Sequence, residues 1–317
     1  MNNAAGTIKF NAVKGRSYWL DSLHRLRKRP LAMCAAFVIA VYIAVVAFIY
    51  ISQWTSIKPA LLQWNQQVGR EYESPSKKNL LGTDFLGRSV LRKALYGAKV
   101  SITVAFWASI ISLAIGVPLG AAAGYFGKFI DDIIVWLFTT LSSIPYILLI
   151  LAFALVLKDK SFDFTKFGLG KIELSGISTV YLAIGLTSWV DICRLIRGEV
   201  MKHKQREYIL AAQSYGCGNS RIIFRHLIPN VFHLIIINFS LCFVGFIQAE
   251  VILSFLGLGE KNCPSWGTMI DTARLDLPKG YWWEMTAATA AIFVISLAIN
   301  IFGDALRDSL DPKLKTR

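Results

Sequence analysis

Three ionisable residues stand inside long apolar runs, where any chemistry they do must be done away from bulk water. Asp191 and Arg194 lie in "TSWVDICRLIRG" and Glu250 lies in "GFIQAEVILSFLGLG". A spacing of three puts Asp191 and Arg194 on one face of a helix. The chemistry open to such a pair is mutual neutralisation or the handling of a proton or a small cation. A structural ion pair, or snorkelling toward the nearby basic end, outweighs a substrate site for these two. An isolated charge like that of Glu250 at a helix centre costs ~2.5–3.5 kcal/mol on insertion scales, so Glu250 is expected to find a partner or water toward a protein interface. No GxxxxGK[ST] loop, no HExxH and no Ser/His/Asp set that could be argued to meet is present, so no catalytic residue is predicted. The five cysteines, Cys34, Cys193, Cys217, Cys242 and Cys263, form no CxxC and no paired set, which indicates neither a metal site nor a disulfide framework.

A second stretch is polar where its neighbours are not: "EYILAAQSYGCGNSRIIFRHLIPN", residues 207–230. Glu207 begins a predicted short helix, where negative charge suits the dipole, and Gly216 supplies the left-handed residue that closes it. Asn219 or Ser220 is placed to cap a second helix from Arg221. Its apolar positions Ile222, Ile223, Leu227 and Ile228 face the membrane or the bundle, and Arg221, Arg225 and His226 face water. Ala211 and Ala212 give the first helix a thin face that another protein surface can approach closely.

The elements that must position these residues are membrane spans. The chain has 317 residues, 55% hydrophobic and 17% charged, which is outside the range of an ordinary soluble domain. Six runs can cross a hydrocarbon core of ~30 Å: residues 31–51, 101–124, 133–157, 177–196, 231–258 and 285–302. An even number places both ends on one side. Despite the net charge of +14, Lys and Arg divide almost evenly between the two sets of loops, about 18 against 15, so the total decides little. Arg25, Arg27, Lys28 and Arg29 just before the first run place the N-terminus in the cytoplasm. The first run starts too late and is too long for a cleaved signal peptide. The basic residues are strung along membrane-flanking segments and not gathered on one face, which argues against a nucleic-acid partner.

Outside the membrane, residues 52–100 end in "LLGTDFLGRSVLRKALYGAKVS", which from Arg88 onward reads as a helix at the membrane surface that leads into the second span. Val90, Ala94 and Leu95 share one side of it, and Arg92, Lys93 and Lys99 lie elsewhere. Gly116, Pro118, Gly120 and Pro145 fall inside the second and third spans and predict close helix contacts and bends.

"EYILAAQSYG" followed by "RIIFRHLIPN" resembles the EAA loop of the inner-membrane permease subunits of bacterial ABC importers. "LGTDFLGRSVLRKALYGAKVS", "LSFLGLGEKNCPSWGTMI" and "GDALRDSLDPKLK" are similar, in order, to the dipeptide, oligopeptide and nickel branch of that family. The resemblance implies an all-α polytopic membrane protein with six transmembrane helices and a type I ABC importer permease fold. It implies a non-catalytic subunit of the bacterial inner membrane with both termini cytoplasmic, paired with a second homologous permease. Two ATPase subunits that hold ATP and Mg, and an outside solute-binding protein, complete the assembly. This chain would itself hold no cofactor. Glu207, Tyr208, Ala211, Ala212, Gly216 and Arg221 become the residues of a coupling helix over 207–219 that seats in the ATPase.

The organisation that follows is a cytoplasmic tail over 1–30, a first span over 31–51 and a periplasmic loop with a surface helix over 52–100. A core permease domain over 101–302 contains the coupling loop 199–230, and a cytoplasmic tail covers 303–317. Residues 52–79 and 158–176 are longer and more polar than compact members need, which bears on docking of the binding protein. The competing reading is an ion-coupled secondary transporter with Glu250 or Asp191 as its ion site, but no two-half repeat accompanies it.

Overall fold

The computed structural model describes residues 24–55, 59, 63–158, 160–163, 171–173, 176–259 and 263–310. Its helices follow from long apolar runs that cannot leave backbone groups unpaired in hydrocarbon. Helix α1 (Pro30–Trp54) opens on a proline, whose missing N–H has no intrahelical partner at that position in any case. Helix α2 (Val90–Phe126) runs for 37 residues with Pro118 inside it. Helices α3 (Lys128–Ser142) and α4 (Tyr146–Leu157) together replace the single run read over 133–157, and their axes differ by 94°. The break falls at Pro145, as its ring requires.

A short ribbon follows, β1 (Ser161–Asp163) antiparallel to β2 (Lys171–Glu173), with Phe162 opposite Ile172. It lies in the long polar loop noted over 158–176. Helices α5 (Ile177–Thr187) and α6 (Trp189–Lys204) form one span, Ile177–Lys204, interrupted at Ser188. Then come α7 (Glu207–Ser214), a turn of helix at Asn219–Arg221, a π-helical turn at Ile222–Leu227, and α8 (Ile228–Phe255). Helices α9 (Trp266–Ala273) and α10 (Trp283–Leu310) complete the bundle. Five helical stretches are long and apolar enough to cross a membrane, and the bent α3–α4 pair makes a sixth. The protein is an all-helical polytopic bundle with this one small ribbon among the described residues.

The tightest seam joins α2 to α6. A methyl group added at Gly116, Gly120 or Gly124 would lie 2.7, 2.5 and 2.7 Å from the carbonyl oxygens of Trp189, Cys193 and Arg197. Glycine every fourth residue therefore lets the two backbones touch along two full turns, the small-residue packing that holds helices together where lipid gives no hydrophobic drive. Around this seam lie two main apolar clusters. One, toward the α2 start, gathers Val90, Ile184, Ile247, Leu253, Trp266 and Ala288. The other, toward the α7 end, gathers Tyr125, Ile196, Ile209, Ile222 and Leu227.

The helix read from Arg88 onward does lead into the second span, but its lysines are not at the surface. Residues from Val90 continue without interruption into α2, and Lys93 and Lys99 are buried. Burial is possible because each charge meets partners that a reading of neighbouring residues could not see: Lys93 bonds Asp84 at 2.9 Å and Glu284 at 2.5 Å, and Lys99 donates to Gln53 at 2.6 Å.

Candidate functional site

The segment between α6 and α8 is built by strong local rules. Lys202 and Lys204 end α6 with positive charge at its carbonyl terminus. Arg206 is extended, and α7 then starts at Glu207. The end of α7 forms a complete Schellman closure: the N–H of Gly216 donates to the Gln213 carbonyl at 2.9 Å and that of Cys217 to the Ala212 carbonyl at 3.1 Å. Gly216 has φ +74°, while a side chain there would meet no atom within 4 Å. The glycine is required by backbone conformation and not by space.

Ile209 and Ala212 point into the bundle, whereas Ala211 is exposed with Glu207, Leu210 and Tyr215. The expected thin face of two outward alanines is therefore reduced to Ala211, because residues one apart lie about 100° apart around a helix. Tyr208 is part-exposed and its hydroxyl meets His203 Nδ1 at 2.9 Å, and burial raises the Tyr208 pKa above its ordinary value. Neither Asn219 nor Ser220 caps the next helix. Gly218 holds that place, and the Asn219 side chain accepts from the Tyr125 hydroxyl at 2.9 Å, tying the segment to the end of α2.

The π turn at Ile222–Leu227 precedes Pro229, whose ring would clash with the carbonyl four residues back in a regular α turn. It buries Ile222, Ile223 and Leu227 and leaves Arg221, Phe224 and Arg225 outward. Leu210 is 50% exposed, Phe224 65% and Tyr215 88%. Leu210 and Tyr215 stand outside the helices that can cross a membrane, and Phe224 lies near the start of the stretch Asn219–Phe255. A rigid helix presenting aromatic and aliphatic anchors among charged neighbours is the composition of an interface core.

The intramembrane candidates separate. Glu250 is almost fully buried, and its two oxygens accept hydrogen bonds from Ser101 and Ser254, each at 2.7 Å. It has the partners that its position demanded, on α2 and on its own helix. Asp191 and Arg194 are both exposed, and no ion pair joins them among the described residues. Arg194 instead lies over the Phe138 ring, 5.2 Å from its centroid, and donates to Ser142 Oγ at 3.1 Å. The bidentate pair on this face is formed one turn on, where Arg197 Nε and Nη2 reach both oxygens of Asp131 at 2.5 and 2.7 Å. Sixty-six positions separate those two residues, so no local spacing could have announced them.

A second polar centre, also unannounced, closes the opposite end of the bundle. Asp84 accepts from the backbone N–H of Arg88 at 2.9 Å and pairs with the side chains of Arg88 and Lys93, while Lys93 also reaches Glu284. Burial pushes the Asp84 carboxyl up, but the Lys93 charge and hydrogen bond, the Arg88 N–H and the Arg88 charge outweigh it and hold the pKa below the usual value. Trp283 Nε1 donates to the Thr83 carbonyl at 2.7 Å, and the Tyr72 hydroxyl donates to Asp276 at 2.8 Å. Burial, with the Asp276 bond and charge second, pushes the Tyr72 phenol up to about 12.

With this geometry in view, the comparisons with known proteins are direct. The chain belongs to the family described as binding-protein-dependent transport system inner membrane component, whose model matches residues 116–316. Residues 17–72 match the N-terminal TM domain of oligopeptide transport permease C. The chain is 33% identical over 317 residues to the dipeptide transport system permease protein DppC of Bacillus subtilis (strain 168), covering 99% of this chain and 91% of that one. It is 31% identical over 313 residues to the oligopeptide transport system permease protein OppC of the same strain, covering 98% and 95%. It is 33% identical over 314 residues to the glutathione transport system permease protein GsiD of Escherichia coli O6:K15:H31 (strain 536 / UPEC), covering 99% and 96%. Among solved structures, a chain of the MetNI methionine ABC transporter in an inward-facing conformation matches with TM-score 0.49 and 14% identity, covering 68% of this chain and 94% of that one. Membership makes the protein a membrane-spanning permease subunit of an ABC transporter and not an enzyme.

Proposed function

We propose that this chain is one permease of an ATP-driven importer that carries a peptide or a similar small solute across the bacterial inner membrane. The single observation that carries the coupling part of the reading is the exposed, rigidly closed α7 with Leu210, Tyr215 and Phe224 beside it. Glu207, Tyr208, Ala211, Gly216 and Arg221 shape or flank that surface, and Ala212 anchors it to the bundle. An ATP-hydrolysing subunit docks there, holding ATP and Mg itself, and its closure moves α7 as a lever on α6 and α8. The α2–α6 glycine seam carries that motion into the membrane.

The names of the relatives support a peptide-like substrate. Both termini lie in the cytoplasm, where four basic residues precede the first span. A second, homologous permease and a solute-binding protein on the far side complete the assembly. An ion-coupled carrier with Glu250 as its ion site is not favoured, since both oxygens of Glu250 are already engaged by serine hydroxyls.

Uptake into membrane vesicles tests the reading. Transport of a labelled dipeptide is expected to require MgATP at the cytoplasmic face and to ignore collapse of the proton and sodium gradients. Uptake that follows an ion gradient and persists without ATP would overturn it.

A further inference from the structure

Non-helical backbone at membrane depth is tolerated only where protein covers it or where it lines a water-filled cavity. Helices α3 and α4 part at Ser143, Ile144 and Pro145, and all three are exposed. Two contacts fix the depth of this break. Arg194 Nη2 reaches Ser142 Oγ at 3.1 Å, and the Tyr146 hydroxyl meets Ser188 Oγ at 3.0 Å. The break is therefore level with residues 188–194, midway along the 28-residue span Ile177–Lys204. The helix continues eight residues past the apolar run as the polar stretch 197–204, which carries Arg197, Glu199, Lys202 and Lys204, so Asp191 lies in the half of the run nearer that basic end.

Intramembrane charges obey the same rule as exposed backbone. Three acids elsewhere in the spans are tied down, Asp131 by Arg197, Glu250 by two serines and Glu284 by Lys93, whereas Asp132 and Asp304 are exposed as Asp191 is. Asp191 is exposed and has no hydrogen bond or ion pair among the described residues, and Arg194, also exposed, has no carboxylate against it. Broken backbone, four hydroxyls and two opposite charges without carboxylate–guanidinium pairing thus share one open face within this span.

We propose that the face formed by Ser142, Ser143, Tyr146, Ser188, Asp191 and Arg194 lines the aqueous translocation path and receives a zwitterionic peptide. The peptide's ammonium group meets the Asp191 carboxylate and its carboxylate meets the Arg194 guanidinium. Helical neighbours three apart hold their Cβ atoms about 5–6 Å from one another, and an extended dipeptide spans roughly 7 Å. The charges on the helix and those on the substrate are therefore commensurate. The inference rests on the importer reading, which supplies a peptide to the path.

The test uses the complete transporter, with both permeases, the ATPases and the binding protein, in proteoliposomes, and labelled dialanine as probe. Asp191→Asn is expected to lower dialanine uptake roughly tenfold, the scale of one lost charge-assisted contact. Hydrolysis stimulated by the loaded binding protein should stay within about twofold, and Asp191→Glu should restore most of the uptake. Wild-type uptake in Asp191→Asn would overturn the proposal. Equal loss of hydrolysis and of assembly would also overturn it, by showing that Asp191 joins the permeases together.

Separately, Ser143→Cys in the assembled transporter should react with a charged, water-soluble maleimide above the background of the parent protein. No reaction would mean that lipid or the second permease covers the face, which would overturn the aqueous path. If wild-type uptake proves independent of ATP, the importer reading falls alone. The maleimide and Asp191→Asn results then still decide this one.

Discussion

At one end of the bundle, Asp84, Arg88, Lys93 and Glu284 meet one another, and only Arg88 among them keeps appreciable contact with solvent. At the other end, Leu210, Tyr215 and Phe224 stand in the open on a helix whose own hydrogen bonds are complete. The first end ties its charges to one another, although Leu80, Leu86, Leu275 and Trp282 stand exposed around them. The second is apolar and lacks a cover. Burying Lys93 with its carboxylates fixes the shape of the first end, whereas Leu210 and Tyr215 on α7 are left open outside the spans. The contrast teaches that one end neutralises its charges within the chain while the other leaves the apolar side chains of α7 uncovered.

The comparison can be broken most forcefully at Lys93. Lys93→Ala leaves Asp84 and Glu284 buried without their shared cation, which should destabilise the chain by about 3–5 kcal/mol. A thermal unfolding series in detergent would read the loss, and an unchanged midpoint would show that water already serves these carboxylates. Gly216→Val is next. A β-branched residue forced to φ +74° costs about 1–3 kcal/mol locally, so ATP-driven uptake should be lost while the unfolding midpoint moves by only a few degrees.

Tyr215→Ala sharpens the contrast further. A side chain 88% exposed contributes little to the fold, so stability should change by less than about 0.5 kcal/mol. Affinity for the ATPase subunit should fall by more than about 1 kcal/mol if the ring anchors the contact. Titration of the purified permease with the ATPase checks both numbers.

The smallest effect concerns pH. The Asp84 pKa is lowered in the folded state, so its contribution is complete above the unfolded value of about 3.9 and is lost as pH falls through the folded value. Hydrogen exchange over residues 82–89 should stay slow down to about pH 4 and quicken only below it.

Local signals were legible where local physics decides. The six hydrophobic runs follow from composition, and the closure of α7 at Gly216 follows from a glycine at the end of a helical pattern. The wish of Glu250 for partners follows from its burial cost. What could not be read were contacts between residues far apart in the chain. Lys93 looked like a surface charge because Glu284 lies 191 positions away. Asp191 and Arg194 looked like a pair because spacing alone cannot say that the competing pair, Asp131 with Arg197, satisfies the next arginine along. The outward alanine pair failed for a simpler reason, since adjacent helical residues diverge and only Ala211 can face away from the bundle.

The surface of α7 as the seat of an ATP-hydrolysing partner is the claim on which the account turns. Placing a cysteine at Tyr215 in the assembled transporter and adding a short bifunctional crosslinker tests it most directly. The account predicts a crosslink to the ATPase subunit, with Ser161→Cys in the β ribbon at the opposite end giving none. Efficient crosslinking of the ribbon position with none at 215 would contradict it.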